Sequence, residues 1–210
     1  MSHHFIAIAG NIGAGKSTLT SMLANHYGWH PFMEANAENP YLADFYADMQ
    51  RWRFHSQIFL LGKRVEHHHD LVQFAGSVVQ DRTVYEDAEI FARNLFVQGH
   101  IMERDYETYR RLYQAVAAFL PPPNLIIYLQ SSVDTLLTRI RRRGRDFEQK
   151  IDPAYLTQLN RLYDDWIGDW TRCPVLTLPM DEMDFQHNES DFAVITSRLD
   201  AHMNWEGQNA

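Results

Sequence analysis

Gly10-Asn11-Ile12-Gly13-Ala14-Gly15-Lys16-Ser17 follows the apolar run Phe5-Ile6-Ala7-Ile8-Ala9 and leads into a helical pattern carrying Leu19, Met22 and Leu23. The Gly-x-x-x-x-Gly-Lys-Ser spacing in a strand-then-helix context is a phosphate-binding P-loop. Its glycines let the backbone turn tightly enough for successive N–H groups to face one anion, and the helix that starts near Lys16 adds its positive dipole end. The nucleotide-binding set is therefore Gly10, Asn11, Ile12, Gly13, Ala14, Gly15, Lys16, Ser17 and Thr18. Lys16 is expected to reach the β- and γ-phosphates, and the Ser17 hydroxyl to take a place on Mg²⁺.

Outward from this loop, Trp29 to Met33 reads as a short strand ending at Glu34, and Asn39-Pro40 as a helix start, with Asn as cap and Pro at the first helical position. A long helical segment follows from about Tyr41 to Phe74, and Gly76 interrupts it. Ser77-Val78-Val79-Gln80 is a strand that delivers Asp81-Arg82 at its carboxyl end, the place where such folds set a second carboxylate near the metal. Another helical region spans about Asp87 to Phe119 and stops at Pro121-Pro122-Pro123. Leu125 to Leu129 is a continuous apolar run, the mark of a strand buried on both faces. Ser132 caps a helix from Val133 to Arg143 that Gly144 ends, and Asp152-Pro153 starts one reaching about Trp170. Pro174 to Leu178 is a fifth strand, and Phe192 to His202 a last helix.

Strands alternating with helices behind a P-loop predict an α/β, three-layer P-loop fold, a five-stranded parallel sheet flanked by helices. Residues 1–210 are read as one domain, without repeat or linker, and with a lid over about 139–148. A net charge of −8 argues against broad nucleic-acid binding, and no run approaches the roughly eighteen apolar residues of a membrane span. With the single Cys173 and no secretory pattern in the first ten residues, a soluble cytoplasmic protein is expected.

Phosphoryl transfer needs a held donor, neutralised charge and an oriented acceptor. Lys16, Ser17 and Mg²⁺ meet the first two needs; either Glu34 or Asp81 could take a proton from an acceptor hydroxyl while the other serves the metal. Five arginines within Arg139 to Arg145 suit a lid closing over the triphosphate, with Arg141 and Arg142 pointing elsewhere. His67-His68-His69 is read as a solvated run, because neighbours on a helix diverge by about 100° and cannot converge on one ion. Trp52, Phe54 and Tyr85 could line a base pocket, although aromatic residues at helical spacing more often serve the core.

These residues resemble the deoxyribonucleoside kinase family. The resemblance runs from Phe5 to about Trp170, with a weaker match near Asp184-Phe185. It rests on the P-loop, Glu34, Tyr46 eleven before Gln57, Gln57 seven before Arg64, Asp81-Arg82, Asp87, and Arg139 through Glu148. It implies transfer of the γ-phosphoryl of ATP or a related triphosphate to the 5′-hydroxyl of a deoxynucleoside, with Mg²⁺. Glu34 then resembles the general base, Arg82 the residue that steadies the reacting oxygens, and Asp81 the partner of Mg²⁺. Tyr46 and Glu148 resemble the pair on the sugar 3′-hydroxyl, and Gln57, Arg64 and Asp87 the trio that reads the base edge. Arg139, Arg143 and Arg145 match the lid positions. Asp81-Arg82-Thr83, where many animal members have Glu-Arg-Ser, is similar to bacterial members acting on deoxyadenosine or deoxyguanosine, so a purine is expected. A homodimer built through helices flanking the long central segment is also implied.

Two rivals share the P-loop. A nucleoside monophosphate kinase of the thymidylate kinase type needs cations for the acceptor's own phosphate, which the pair Tyr46 and Glu148 does not offer. A regulatory P-loop NTPase lacks support, since no Asn-Lys-x-Asp guanine-reading motif is present.

Overall fold

A computed structural model of the chain describes residues 3–33, 40–41, 44, 48–145, 148 and 151–207. Five parallel strands, β1 (Phe5–Ala9), β2 (His30–Phe32), β3 (Val78–Asp81), β4 (Leu125–Gln130) and β5 (Val175–Pro179), lie in the order β2-β3-β1-β4-β5. The chain leaves β1 for one side of the sheet and later crosses to the other, so the crevice between β1 and β3 lies beside the point where the winding reverses, the place where such sheets bind ligands. Register pairs Ile8 with Asp81 across that crevice, which brings the P-loop and the Asp81-Arg82 pair to the same edge.

Side chains alternate faces along each strand. Ile6 and Ile8 of β1, with Ile127 and Leu129 of β4, pack against α1 (Lys16–Tyr27), α6 (Val133–Arg143) and α8 (Glu189–Gly207), through Leu19, Leu23, Leu136, Ile140, Ile195 and Leu199. Ala7, Ala9, Ile126 and Tyr128 face the opposite layer, where α2 (Met49–Gln73), α5 (Glu103–Ala117) and α7 (Pro153–Asp169) contribute Leu61, Tyr109, Leu159 and Tyr163. The expected three layers are thus present.

The caps read from sequence act as such. The Ser132 side chain accepts the Thr135 N–H, Asp152 accepts the Ala154 N–H behind Pro153, and Gly144 ends α6 in the left-handed conformation at φ 72°. Several boundaries differ from expectation. The described long helix begins at Met49, behind Asp48, whose carboxylate accepts the Arg51 N–H; Asn39 lies outside the described residues. The helical region expected from Asp87 to Phe119 instead starts at Thr83, which caps α3 (Val84–Glu86). It continues as a π-helical stretch, Asp87–Ala92, and as α4 (Arg93–Val97), then breaks before α5 around Gly99 at φ 70°. The last helix starts earlier than Phe192, where the Asn188 side chain accepts the Ser190 N–H. Tyr85 is fully buried core, not a pocket wall.

The histidine run is not a solvated face either. His68 is fully buried between Phe5 and Tyr85, with its Nε2 3.0 Å from the Pro121 carbonyl, and His67 is half-buried against Phe32; only His69 is exposed. The carbonyl can only accept, so Nε2 carries the proton. Burial holds His67 and His68 below the ordinary imidazole value of 6.5; Arg64 adds to the effect on His67, and the Pro121 bond opposes it on His68. Below that value the unfolded chain takes up protons that the folded histidines refuse, so their contribution to stability is complete above it and is lost on acidification. Urea midpoints measured between about pH 7.5 and 5.5 should fall, and His68→Gln should show a shallower fall than wild type. An unchanged pH dependence in that variant would contradict this assignment.

Candidate active site

Residues 10–17 turn from β1 into α1 without a side-chain cap at Gly15, leaving the first N–H groups of α1 to face the cleft. Gly13 takes φ 85°, and a Cβ there would lie 2.8 Å from Ile140 Cγ1 and 3.0 Å from the Leu136 carbonyl oxygen. The absence of a side chain is what lets α6 pack onto the loop. Asn11 points away from the anion site: its Nδ2 donates to the Leu156 carbonyl (3.0 Å) and to Asn160 Oδ1 (2.7 Å), while its own Oδ1 accepts the Ile12 N–H (2.7 Å). Its contribution is to tie the loop to α7.

Lys16 is buried and donates to the carbonyls of Gly10 (2.8 Å) and Asn11 (3.1 Å), which holds the ammonium across the loop. Ser17 donates to Asp81 Oδ2 at 2.5 Å, and Asp81 Oδ1 is buried without a hydrogen-bond partner. A hydroxyl and a carboxylate with an unused buried oxygen form a hard-oxygen donor set that suits Mg²⁺, which takes few protein ligands and fills its shell with phosphate and water. Among the described residues no group of three or more His, Cys, Asp or Glu forms a metal cage.

Arg82 follows Asp81 and is the one non-glycine residue with positive φ (64°) among those described. Its guanidinium lies 4.3 Å from the centre of the Phe91 ring. Arg64 of α2 and Asp87 of the π-helical stretch form a buried ion pair, hydrogen-bonded through Arg64 Nε. The wider π turn that carries Asp87 is a feature common at functional sites. Gln57 is half-buried, two turns before Arg64 on α2. Glu34 and Tyr46 lie outside the described residues.

A cleft of about 340 Å³ over the loop is lined by Lys16, Ser17, Arg82, Arg143, Arg145 and Glu148, among others. Glu148 is buried and ion-paired with both Arg143 and Arg145, so these three residues form one cluster. Arg139 behaves differently. Its guanidinium donates to the carbonyls of Ala14 (3.1 Å), Met180 (2.7 Å) and Met183 (2.9 Å), bolting the P-loop to the segment after β5. Arg142, expected to point elsewhere, lines a neighbouring cleft of about 460 Å³ together with Arg139, Phe185 and His187. The two clefts share Gly13, Gly15, Thr18 and Arg143 and so form one groove over the loop.

Sequence spacing alone does not single out Glu86. It is fully buried beneath the loop, accepting from Thr83 and Tyr163 and facing the charges of Lys16 and Arg82. The Thr83-x-x-Glu86 capping box was the available signal.

A glycine-rich loop holding a buried lysine, a Ser17–Asp81 contact and an arginine–glutamate cleft, all at the switch point of a parallel sheet, are the parts of a P-loop phosphotransferase. The deoxynucleoside kinase family model matches residues 6–204, and the chain belongs to that family. It is 36% identical to the deoxyadenosine/deoxycytidine kinase of Bacillus subtilis, covering 92% of this chain and 90% of the relative. It is also 36% identical to the deoxyguanosine kinase of the same organism, covering 95% of each. The solved deoxyadenosine kinase of M. mycoides with bound dATP superposes with a TM-score of 0.80 at 30% identity, over 94% of this chain and all of that one. The chain is therefore a kinase of the nucleoside class, and the monophosphate-kinase and regulatory-NTPase alternatives are not favoured. No helix of the described residues is long and apolar enough to cross a membrane.

Gly13→Ala should cost about 1–3 kcal/mol of stability from the left-handed backbone and displace α6. Urea unfolding, with triphosphate binding followed by calorimetry, measures both; wild-type values would refute the packing argument.

Proposed function

We propose that the chain transfers the γ-phosphoryl of ATP, or a related triphosphate, to the 5′-hydroxyl of a deoxynucleoside, with deoxyadenosine or deoxyguanosine preferred. The observation that carries the reading is the juxtaposition of the Ser17–Asp81 contact in the anion cradle with the buried Arg64–Asp87 pair on the acceptor side. Relatives named deoxyguanosine kinase and deoxyadenosine kinase support the purine preference, and the deoxyadenosine/deoxycytidine kinase makes deoxycytidine the pyrimidine to test against it.

In this reading residues 10–18 and Lys16 hold the triphosphate through backbone N–H groups and one cation. Ser17 and Asp81 hold Mg²⁺, which neutralises charge on the phosphates when bound. Gln57, Arg64 and Asp87 pair with the base edge, a set of donors and acceptors that an apolar pocket could not replace. Tyr46 and Glu148 bind the 3′-hydroxyl, and the Glu148 ion pairs link sugar occupancy to Arg143 and Arg145 around the phosphates. Arg139 holds the Ala14 carbonyl while also lining the groove over the loop. Glu34 takes the 5′-hydroxyl proton, and Arg82 steadies the oxygens that exchange the phosphoryl group. Residues 1–210 act as one domain with a lid over 139–148, in the cytoplasm. A homodimer through the helices flanking α2 belongs to the same reading.

Turnover of ATP and Mg²⁺ with each of the four natural deoxynucleosides, and with thymidine monophosphate as a fifth acceptor, tests the proposal. Deoxyadenosine or deoxyguanosine should be used fastest and the monophosphate not at all. A pyrimidine preference would remove the purine assignment, and activity on the monophosphate alone would overturn the acceptor pocket. Glu34→Gln should lower kcat by about 100-fold or more with triphosphate binding retained; lost binding would count against Glu34 as the base.

A further inference from the structure

Glu86 ends α3 with its side chain wholly inside the protein. Oε1 accepts from the Tyr163 hydroxyl (2.9 Å) and from the Gly10 N–H (3.4 Å). Oε2 accepts from the Thr83 N–H (2.9 Å) and the Thr83 hydroxyl (3.4 Å). A helix cap alone needs no such depth. Capping boxes work at the surface, whereas taking a carboxylate out of water is costly unless charges and hydrogen bonds replace the lost solvent. Burial raises the Glu86 pKa, and Lys16, Arg82, Thr83 and Tyr163 oppose the rise.

Arg82 shows what the carboxylate is for. A left-handed arginine is strained by about 1–2 kcal/mol and persists only when its surroundings impose that backbone. The two peptide groups that flank its Cα are both pinned: the Arg82 N–H donates to the Ile8 carbonyl (3.2 Å), and the Thr83 N–H to Glu86. The same carboxylate receives the N–H of Gly10, the first residue of the loop. We propose that Glu86 is a positioning residue for phosphoryl transfer, one carboxylate that sets both the entry of the P-loop and the left-handed backbone aiming Arg82, with Tyr163 of α7 holding it in place. The inference rests on the role given above to Arg82.

Glu86→Gln keeps the shape but leaves one accepting oxygen, and turns an NH₂ group toward N–H donors. It should lower kcat about 10- to 100-fold while the protein still melts cooperatively. KM for the deoxynucleoside should stay near wild type, because Arg64 and Asp87 are untouched. Tyr163→Phe, which keeps the Thr83 bond, should give a smaller fall in the same direction. Combined with Arg82→Ala, Glu86→Gln should cost less than the product of the two single losses, since both remove the same function. Wild-type kcat in both Glu86→Gln and Tyr163→Phe would overturn the proposal. So would fully multiplicative losses in the double variant, or a kcat that falls only in proportion to the folded fraction. Failure of the wild-type chain to phosphorylate any deoxynucleoside would instead overturn the underlying kinase reading.

Discussion

Holding a polyphosphate with backbone N–H groups requires the chain to turn through conformations that L-residues avoid, and to do so with a helix pressed against the turn. Gly13 carries that constraint most clearly, since a side chain there would collide with Ile140 and with the Leu136 carbonyl. Much of the site follows from this contact. Because α6 can lie on the loop, Arg139 reaches the Ala14 carbonyl, and Arg143 is delivered to the cleft, where it meets Glu148. The loop thereby orients the arginine-rich helix, and the helix in turn fixes the loop.

The second organising force is electrostatic. Lys16, Arg82, Glu86, Asp81, Arg64 and Asp87 are charged groups crowded around the carboxyl ends of β1 and β3, most of them buried. Buried ion pairs add little net stability, so their value lies in orientation. Fixed partners mean that little reorganisation is needed when a charged ligand arrives, the condition under which electrostatic stabilisation of a transition state is largest. The Arg64–Asp87 pair is a buried, fixed donor–acceptor pattern, and Ser17 with Asp81 sets hard oxygens beside the loop.

Elements governed by neighbouring residues were legible in the sequence. Ser132, Gly144 and Asp152-Pro153 act through hydrogen bonds within a few residues, and the apolar run at Leu125 announces a buried parallel strand. What could not be read depends on partners distant in the chain. Arg139 fits a phosphate lid by spacing, but the carbonyls of Met180 and Met183, some forty residues on, claim its guanidinium. His68 belongs to a polar run, yet it packs against Phe5 and Tyr85. Glu86 looks like a helix cap until Tyr163, 77 residues later, is seen to enclose it. The π turn at Asp87–Ala92 leaves no periodicity signal, since one wide turn is shorter than any repeat.

In a nucleoside kinase the phosphate loop and the acceptor pocket must converge so that a phosphoryl group passes to a sugar hydroxyl rather than to water. Phosphorus NMR of the full chain with ATP, Mg²⁺ and deoxyadenosine tests this directly. A phosphomonoester on the 5′-carbon should grow in step with ADP, with little inorganic phosphate. Inorganic phosphate and ADP accumulating at the same rate with or without the nucleoside would contradict it.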